Sequence, residues 1–245
     1  MTEAPEPGYY EWLDFNAPLS GARADAIARH LAAGQPRTVL DLGCGWGELL
    51  LRTVAACAEA TGVGVDSAGP GLDRGRATAV ARGLGERVEF VEGDCTAPRD
   101  PADVVICVGA DHAFGDQSAA LAALGSFLRP GGRLLFGSGF WRQPPSAEQA
   151  AAVGMTPDSL PDLAGLIEIA IDQGFRALAI QSANHDEWEE FESGYLADWE
   201  QWLLSYGDRP EAERVRAKAD THRTEWLRGY GGVLGFGYLT LGRPS

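Results

Sequence analysis

The chain has 245 residues, with 20 Lys and Arg against 35 Asp and Glu, and therefore a formal net charge of −15 at pH 7. Such an acidic balance disfavours sequence-independent binding to nucleic acids and attachment to anionic membranes, both of which depend on basic patches. The length suits one α/β domain with an elaboration, and a hydrophobic content of 45% is enough for a sizeable core. We therefore expect neither a nucleic-acid partner nor a membrane partner.

The four cysteines and four histidines are scattered, without the short spacings of a metal site, so no bound metal is predicted. We interpret the cysteines as reduced apolar side chains of a cytoplasmic protein. The N-terminus is acidic and lacks the apolar segment of a signal peptide. No apolar run approaches the length needed to span a membrane.

An aromatic stretch that includes Tyr9 and Trp12 precedes the first predicted helix, over 21–33. The run TVLDLGCGWGELL follows and predicts an apolar strand that leads through a glycine-rich loop into a helix. Glycines let the backbone turn sharply and approach a ligand, and a helix N-terminus offers free N–H groups to an anion. The sequence therefore predicts a nucleotide-cofactor loop, the alternative being a tight turn without a ligand.

The spacing of this loop distinguishes between cofactors. Asp41 ends the strand, and Gly43, Gly45 and Gly47 follow at alternate positions. A dinucleotide-binding loop reads G-x-G-x-x-G, and its third glycine packs the helix against the strand. Glu48 occupies that position here, which counts against an NAD(P)-dependent oxidoreductase.

Two further strands end in acidic residues. The first ends in Asp66, 19 residues after Gly47, where a carboxylate can accept hydrogen bonds from both hydroxyls of a ribose. The second ends in Gly93-Asp94-Cys95. Each acid has a simpler reading as a turn or helix-cap residue. Their order along the chain favours a nucleoside site.

A fourth strand is predicted within 102–108 and leaves the sheet through Gly109 and His112. A fifth strand follows Pro130-Gly131-Gly132, which by itself marks a turn. A helix near 160–173 and a sixth strand over 175–181 come next. Five signals in this order, about 20–25 residues apart, are far more specific than any one of them.

The chain changes character between His185 and Tyr230. Aromatic residues recur there at steps of three and four, which predicts an amphipathic helix: Trp188, Phe191, Tyr195, Trp199, Trp202 and Tyr206. Its opposite face carries acidic residues. Pro210 suits the first turn of a second helix, and a final strand is predicted over 232–241. Two helices are therefore inserted between the sixth and seventh strands.

These motifs resemble those of the class I S-adenosylmethionine (SAM)-dependent methyltransferases. The resemblance implies that the loop through Gly43, Gly45 and Gly47 passes the methionine part of SAM and that Asp41 orients its ammonium group. It implies that Asp66 binds the ribose. The remaining cofactor residues that it implies lie at the adenine and near the reacting methyl group: Gly93, Asp94, Cys95 and Gly109.

The chain is also similar to a bacterial group related to the cyclopropane-fatty-acid-synthase-like methyltransferases. That group has an Asn-Pro-Phe-Ser-like segment, compared here with Asn16-Ala17-Pro18-Leu19-Ser20, and an aromatic-Trp-Arg-x-Pro-Pro run, compared with 140–145. Late Trp-rich helices and a Gly-rich last strand complete the likeness. Because their catalytic set is not found in this sequence, lipid cyclopropanation is not expected.

The resemblance implies an α/β, Rossmann-like fold with seven strands, mostly parallel, an antiparallel last strand and the helical insertion. Four parts are expected: an N-terminal segment and helix covering the cofactor site, the SAM-binding core, a helical cap and the final strand of the core sheet, over 1–34, 35–184, 185–230 and 231–245. We expect a monomer or a homodimer.

The implied function is transfer of a methyl group to an O, N or S nucleophile of a small molecule, with S-adenosylhomocysteine (SAH) as product. His112 is the candidate general base, with a structural or substrate-orienting role as the alternative. Tyr9, Trp12, His112 and Trp141 are the candidate substrate-binding residues. The alternative function is a SAM-binding protein without methyltransferase activity or, more remotely, the NAD(P)-dependent oxidoreductase.

Overall fold

The computed structural model describes residues 6–8 and 10–244, so Tyr9 lies outside the described residues. The strands are β1 (Thr38–Leu42), β2 (Thr61–Asp66), β3 (Val88–Glu92), β4 (Ala102–Val108), β5 (Leu128–Trp141), β6 (Arg176–Ser182) and β7 (Leu234–Gly242). The α-helices are α1 (Gly21–Ala32), α2 (Glu48–Ala55), α3 (Gly69–Ala81), α4 (Gln117–Ser126), α5 (Ala147–Ala151), α6 (Leu163–Asp172), α7 (His185–Tyr206) and α8 (Ala212–Thr224). A 3₁₀-helix (Asp111–Phe114) follows β4, and a π-helix (Glu225–Tyr230) follows α8.

The chain divides into two compact units. The sheet unit comprises Ser20–Phe140, Asp162–Ser182 and Phe236–Ser245, and the helical unit comprises Met1–Leu19, Trp141–Pro161 and Ala183–Gly235. Each unit is described by itself below.

The sheet unit is built on seven strands in the order β3-β2-β1-β4-β5-β7-β6. The pairs β1·β2, β1·β4, β2·β3 and β4·β5 are parallel, whereas β6 and β7 are antiparallel. Strand β7 also runs against β5, since the N–H of Gly131 donates to the Arg243 carbonyl and the N–H of Arg243 donates to the Gly132 carbonyl. The predicted fold, mostly parallel with an antiparallel last strand, is confirmed.

Parallel strands are buried on both faces, which explains why β1 and β4 read as nearly continuous apolar runs. The core of the sheet unit packs strand residues such as Val105 and Phe136 against Leu121 and Leu124 of α4 and Leu166 of α6. Each of these side chains is almost completely buried. In a sheet covered by helices, the carboxyl ends of the strands are the place where a ligand can approach.

Short polar side chains begin several of these helices. Ser20, Asp116 and Asp162 are the N-cap residues of α1, α4 and α6, and each accepts a hydrogen bond from the backbone N–H three residues later. These bonds satisfy N–H groups that the first helical turn leaves without partners. The helix predicted near 160–173 therefore begins at Leu163, directly after its cap.

The helical unit contains α7, which the aromatic periodicity predicts, and α8, the second helix predicted after Pro210. It also contains α5 and the π-helix, which were not predicted. On α7, three acidic residues are buried: Glu187, Glu192 and Asp198. Glu187 forms a capping box with Asn184, in which each side chain accepts from the other residue's backbone N–H. The acidic face of α7 is thus partly buried rather than fully exposed to solvent.

Glu192 is the centre of a buried hydrogen-bond network. Its carboxylate accepts from the Tyr230 hydroxyl at 2.7 Å and lies 2.7 Å from Nε2 of His222. The imidazole of His222 stacks on the ring of Tyr195 with centroids 4.7 Å apart. Burial, together with the nearby Glu192 carboxylate, raises the pKa of Tyr230 above its usual range. A buried carboxylate of this kind requires its donors, because no water replaces a lost one.

The part of the chain that the structure describes contains no helix long and apolar enough to cross a membrane. All four cysteines are free thiols, of which Cys57 and Cys107 are buried.

Replacing Tyr230 by Phe removes one of the two partners of Glu192 and leaves the ring in place. We expect the free energy of unfolding to fall by about 1–3 kcal/mol, measured by urea denaturation followed by tryptophan fluorescence. Tyr206→Phe is the matched control, since the Tyr206 hydroxyl bonds no described residue, and it should change stability by less than about 0.5 kcal/mol. Equal stability of the two variants would contradict the network.

Candidate functional site

The sequence-predicted motifs meet where the strand order reverses. From β1 the chain continues to β2 on one side, whereas from β4, the neighbour of β1, it continues to β5 on the other. Loops that leave two adjacent strands in opposite directions open a crevice at the carboxyl ends, which is where parallel α/β sheets bind their ligands. The loop after β1 and the turn after β4 both lie at this point.

The three glycines of the loop all adopt left-handed backbone conformations, with φ of +75° at Gly43, +56° at Gly45 and +68° at Gly47. Two of them are also required by close packing. A Cβ on Gly43 would lie 2.2 Å from the Cβ of Ala110, and one on Gly47 would lie 2.4 Å from the Phe90 ring. These contacts hold the loop against the exit of β4 and against β3.

Gly45 differs from the other two glycines. A Cβ added there meets no heavy atom of the described residues within 4 Å, its chain neighbours aside. The loop is therefore open at its middle glycine, where a side chain would enter free space. This is the arrangement that allows a ligand to lie directly against the main chain.

Asp66, at the end of β2, fixes the position of this open glycine. Its carboxylate accepts from the N–H of Gly45 at 2.7 Å and from the N–H of Ala68 at 2.9 Å. One oxygen serves each bond, and each carboxylate oxygen can accept a second one. Asp66 can therefore hold the loop and still receive hydroxyl groups of a ligand.

Asp41 is buried beneath the loop, with 3% of its surface exposed. Burial raises the pKa of Asp41 from 3.8 to about 8, with a further contribution from the negative charge of Asp66. The negative charge of an ionised Asp41 is not compensated by a positive group in the described structure. A cation placed beside Asp41 lowers the pKa of the carboxyl group again. The site is thus suited electrostatically to a ligand that carries a positive group.

The turn after β3 places Gly93, Asp94 and Cys95 beside these groups. The N–H of Gly93 donates to the Asp66 carbonyl at 2.9 Å. The Thr96 hydroxyl, followed by the Thr96 backbone N–H, lowers the pKa of Asp94, whereas burial raises that of the Cys95 thiol. The carboxylate of Asp94 is exposed and ionised, so it is available as a hydrogen-bond acceptor.

Arg99 was not singled out from the sequence. Its Nε is buried and has no hydrogen-bond partner among the described residues. Buried donors in folded proteins are nearly always paired, so this atom is an exception within the described part of the chain. An isolated arginine in a loop carries no local signal that could have indicated it.

At the exit of β4, Gly109 has φ of +73° and donates its N–H to the Gly137 carbonyl at 2.8 Å. His112 follows on the 3₁₀-helix and is exposed. Beside it, Asp111 accepts from the Ser138 hydroxyl at 2.7 Å, and the side-chain amide of Gln117 lies 2.7 Å from the same hydroxyl. This chain of three side chains was not predicted.

Glu48 is the first residue of α2 and is buried. It pairs with Arg52 at 2.7 Å and with Arg82 at 3.0 Å. An acidic residue at a helix N-terminus is also stabilised by the helix dipole. The residue that breaks the dinucleotide pattern is therefore part of the scaffold that anchors α2.

The candidate substrate residues fall in different units. His112 lies in the sheet unit, whereas Trp12 and Trp141 belong to the helical unit. Trp12 is 59% exposed, and Trp141 is buried in a small cluster with Ala150 and Val233. Their roles, and those of the cofactor residues, stay predictions.

Comparison with known proteins adds three findings. The model of a methyltransferase domain matches residues 39–132. Escherichia coli YjhP, described as an uncharacterized protein, is 30% identical over 229 residues, which cover 91% of this chain and 92% of YjhP. SAM-dependent methyltransferases from Geobacter sulfurreducens and Thiobacillus denitrificans, both solved with S-adenosyl-L-homocysteine, are each 26% identical, with TM-scores of 0.86 and 0.84. The former match covers 95% of this chain and 94% of the other, and the latter covers 93% of each.

The raised pKa of Asp41 predicts a pH dependence of stability. Between about pH 4 and pH 8 the folded state retains a proton on Asp41 that the unfolded state has lost, so stability falls as the pH rises. Asp41→Asn removes this loss. We expect the stability of the variant relative to wild type to rise between about pH 4 and pH 8, by on the order of a few kcal/mol in total, and to stay constant above that range.

Thermal melts of both proteins at several pH values measure this difference, because all other titrating groups are common to the two. A constant difference across the range would show that Asp41 is not the titrating group. Asp94→Asn, at an exposed carboxylate, provides the control and should show no such trend.

Proposed function

This chain belongs to the class I SAM-dependent methyltransferases, and we propose that it moves a methyl group from SAM to an oxygen, nitrogen or sulfur atom of a small molecule. The family predicted from the glycine-rich loop is confirmed by the near full-length match to YjhP together with the methyltransferase domain. The comparisons that confirm the family also confirm the prediction that SAM is the cofactor. The acceptor class and the residue roles are part of the proposal.

The observation that carries the proposal is the open middle glycine above a buried acid. Gly45 leaves room for a ligand against the main chain, and Asp41 beneath the loop requires a positive group to ionise. SAM carries such a group in the ammonium of its methionine part. The donor set therefore fits this cofactor.

The other cofactor contacts are part of the same proposal. Asp66 retains accepting capacity for two ribose hydroxyls after binding the loop. We propose that Asp94, an exposed carboxylate, accepts from the adenine amino group and that the backbone N–H of Cys95 donates to the ring. Glu48 and the turn after β3 disfavour NAD(P), because the third glycine of the dinucleotide loop is replaced by an anchored carboxylate.

SAM, when bound, supplies an electrophilic methyl group that is transferred to a nucleophilic atom in line with its sulfur. The contribution of the protein is to position the two reactants and to exclude water. His112 lies at the exit of β4, where an acceptor would approach. We propose that its imidazole takes the proton that a hydroxyl, amine or thiol acceptor loses, with Trp12 and Trp141 as substrate-binding residues.

Gly45→Arg fills the open position of the loop and should reduce SAH affinity by at least about 100-fold, because the side chain occupies the place of the ligand. The matched control is Gly83→Arg. Gly83 also has a left-handed backbone, with φ of +70°, and a Cβ there meets no described heavy atom within 4 Å. Both variants carry the same backbone strain and the same added charge.

Calorimetric titration with SAH, after removal of any co-purified ligand, measures both affinities, and circular dichroism confirms that both variants are folded. Loss of binding in both variants would point to strain or charge as the cause. Unchanged binding in Gly45→Arg would remove the loop from the cofactor site.

Methyl transfer itself is tested by following SAH release from SAM with a panel of small phenols, amines and thiols. Once an acceptor is found, His112→Asn should lower kcat at neutral pH by about 100-fold or more and leave SAH affinity unchanged. The loss should shrink as the pH approaches the pKa of the acceptor, since a base is then no longer needed.

A rise in KM with unchanged kcat would instead assign His112 to substrate orientation. Absence of SAH release with every class of acceptor, in a protein that binds SAM, would favour the alternative of a SAM-binding protein without methyltransferase activity.

A further inference from the structure

The helical unit contains a cavity of about 420 Å³ that none of the residues proposed for SAM lines. The wall is mostly apolar and includes three aromatic side chains: Trp188, Trp226 and Tyr230. Small-molecule sites are usually mostly apolar clefts of roughly 300–1,000 Å³ with a few placed polar groups. The cavity therefore has the size and the lining of a ligand site.

Two of these aromatic residues come from an unusual backbone element. Trp226 and Tyr230 both lie in the π-helix that directly continues α8. A single π-helical turn is rare, and such turns occur frequently at functional sites. The two residues are four positions apart and line the same cavity.

The rings form a corner rather than a stack. The centroids of Trp188 and Tyr230 are 6.4 Å apart, and their planes meet at 58°. The face of an aromatic ring carries partial negative charge, so several rings around one space attract a cation. Trp is the strongest of the aromatic residues in this respect, and two line the cavity.

Acidic side chains lie at one part of the wall and behind it. Glu189 lines it, and its carboxylate lies 3.2 Å from Nε2 of His185. Behind Tyr230, the buried carboxylate of Glu192 accepts from the phenol hydroxyl. The positive group at the wall is Arg142, whose guanidinium donates to the Ala183 carbonyl. The net charge of −15 adds a general attraction for cations.

We propose that this cavity binds a small alkylammonium compound. The ammonium group lies among the aromatic rings near Glu189. This binding does not depend on the cofactor assignment, because the cavity residues belong to the helical unit and the SAM residues to the sheet unit.

The test compares choline with 3,3-dimethylbutan-1-ol, which has the same shape and hydroxyl group and no charge. Calorimetric titration of the full chain should give a Kd for choline below about 1 mM and at least tenfold weaker binding of the neutral alcohol. Tetramethylammonium, which carries the charge without the hydroxyl group, should also bind more tightly than the neutral alcohol. Sodium chloride at matched ionic strength is the blank.

Variants locate the binding. Trp226→Ala should weaken choline binding about tenfold or more, and Trp226→Phe should weaken it less, because a ring face is retained. Glu189→Gln changes an exposed side chain, so the fold is preserved, and should also weaken choline binding. Leu204→Ala, at an 81% exposed position of the same helix α7, should bind like wild type.

Equal affinities for choline and the neutral alcohol would overturn the proposal and assign the cavity to an uncharged apolar ligand. Absence of choline binding up to about 20 mM would overturn it as well. SAH titration of the same samples separates this result from the methyltransferase proposal, since either ligand can bind when the other fails to do so.

Discussion

The arrangement of the candidate cofactor site depends on the carboxylate of Asp66. By accepting from the N–H groups of Gly45 and Ala68, it joins the loop after β1 to the start of α3. The backbone carbonyl of the same residue accepts from Gly93, so the turn after β3 is attached to the same point. Three loops from three parallel strands are thus held together by one residue at the end of β2.

This junction explains the spacing of the motif. Because Gly43 packs on Ala110 and Gly47 packs on Phe90, the loop is clamped at both ends and has no room for a side chain at either glycine. The N–H of the middle glycine is held by a hydrogen bond, and the side on which a Cβ would lie faces free space. Alternating glycines therefore combine rigidity at two positions with access at the third, which a single flexible glycine loop would not provide.

Much of the sheet unit could be predicted from the sequence, because its signals are local. Each strand is a short apolar run, and each candidate functional turn begins at the end of one, so the positions of strands and loops along the chain followed from the spacing. The mostly parallel sheet was implied by the family resemblance. The Asp111, Ser138 and Gln117 chain could not be predicted in this way. Its partners are up to 27 residues apart, and they meet only because β4 and β5 are neighbours in the sheet.

The helical unit was harder to predict for the same reason. Periodicity indicated a polar face on α7, yet Glu192 is buried there because Tyr230 and His222 come from elements 30 or more residues away. The π-helix leaves no local pattern, since its residues are also acceptable in an α-helix. The spacing of apolar side chains along the sequence predicts which helices form. The partners of the polar residues on those helices depend on tertiary packing.

Asp41 is an unusual electrostatic feature of the sheet unit, a buried acid without a counter-charge among the described residues. Its ionised form is unfavourable in the isolated protein and is stabilised by a positively charged ligand, so ionisation of Asp41 and binding of such a ligand are coupled. A stable scaffold with no ligand to bind would place an apolar side chain at position 41, as it does at Leu40 and Leu42 on either side. The retained carboxylate is therefore better explained by a cationic ligand than by the fold.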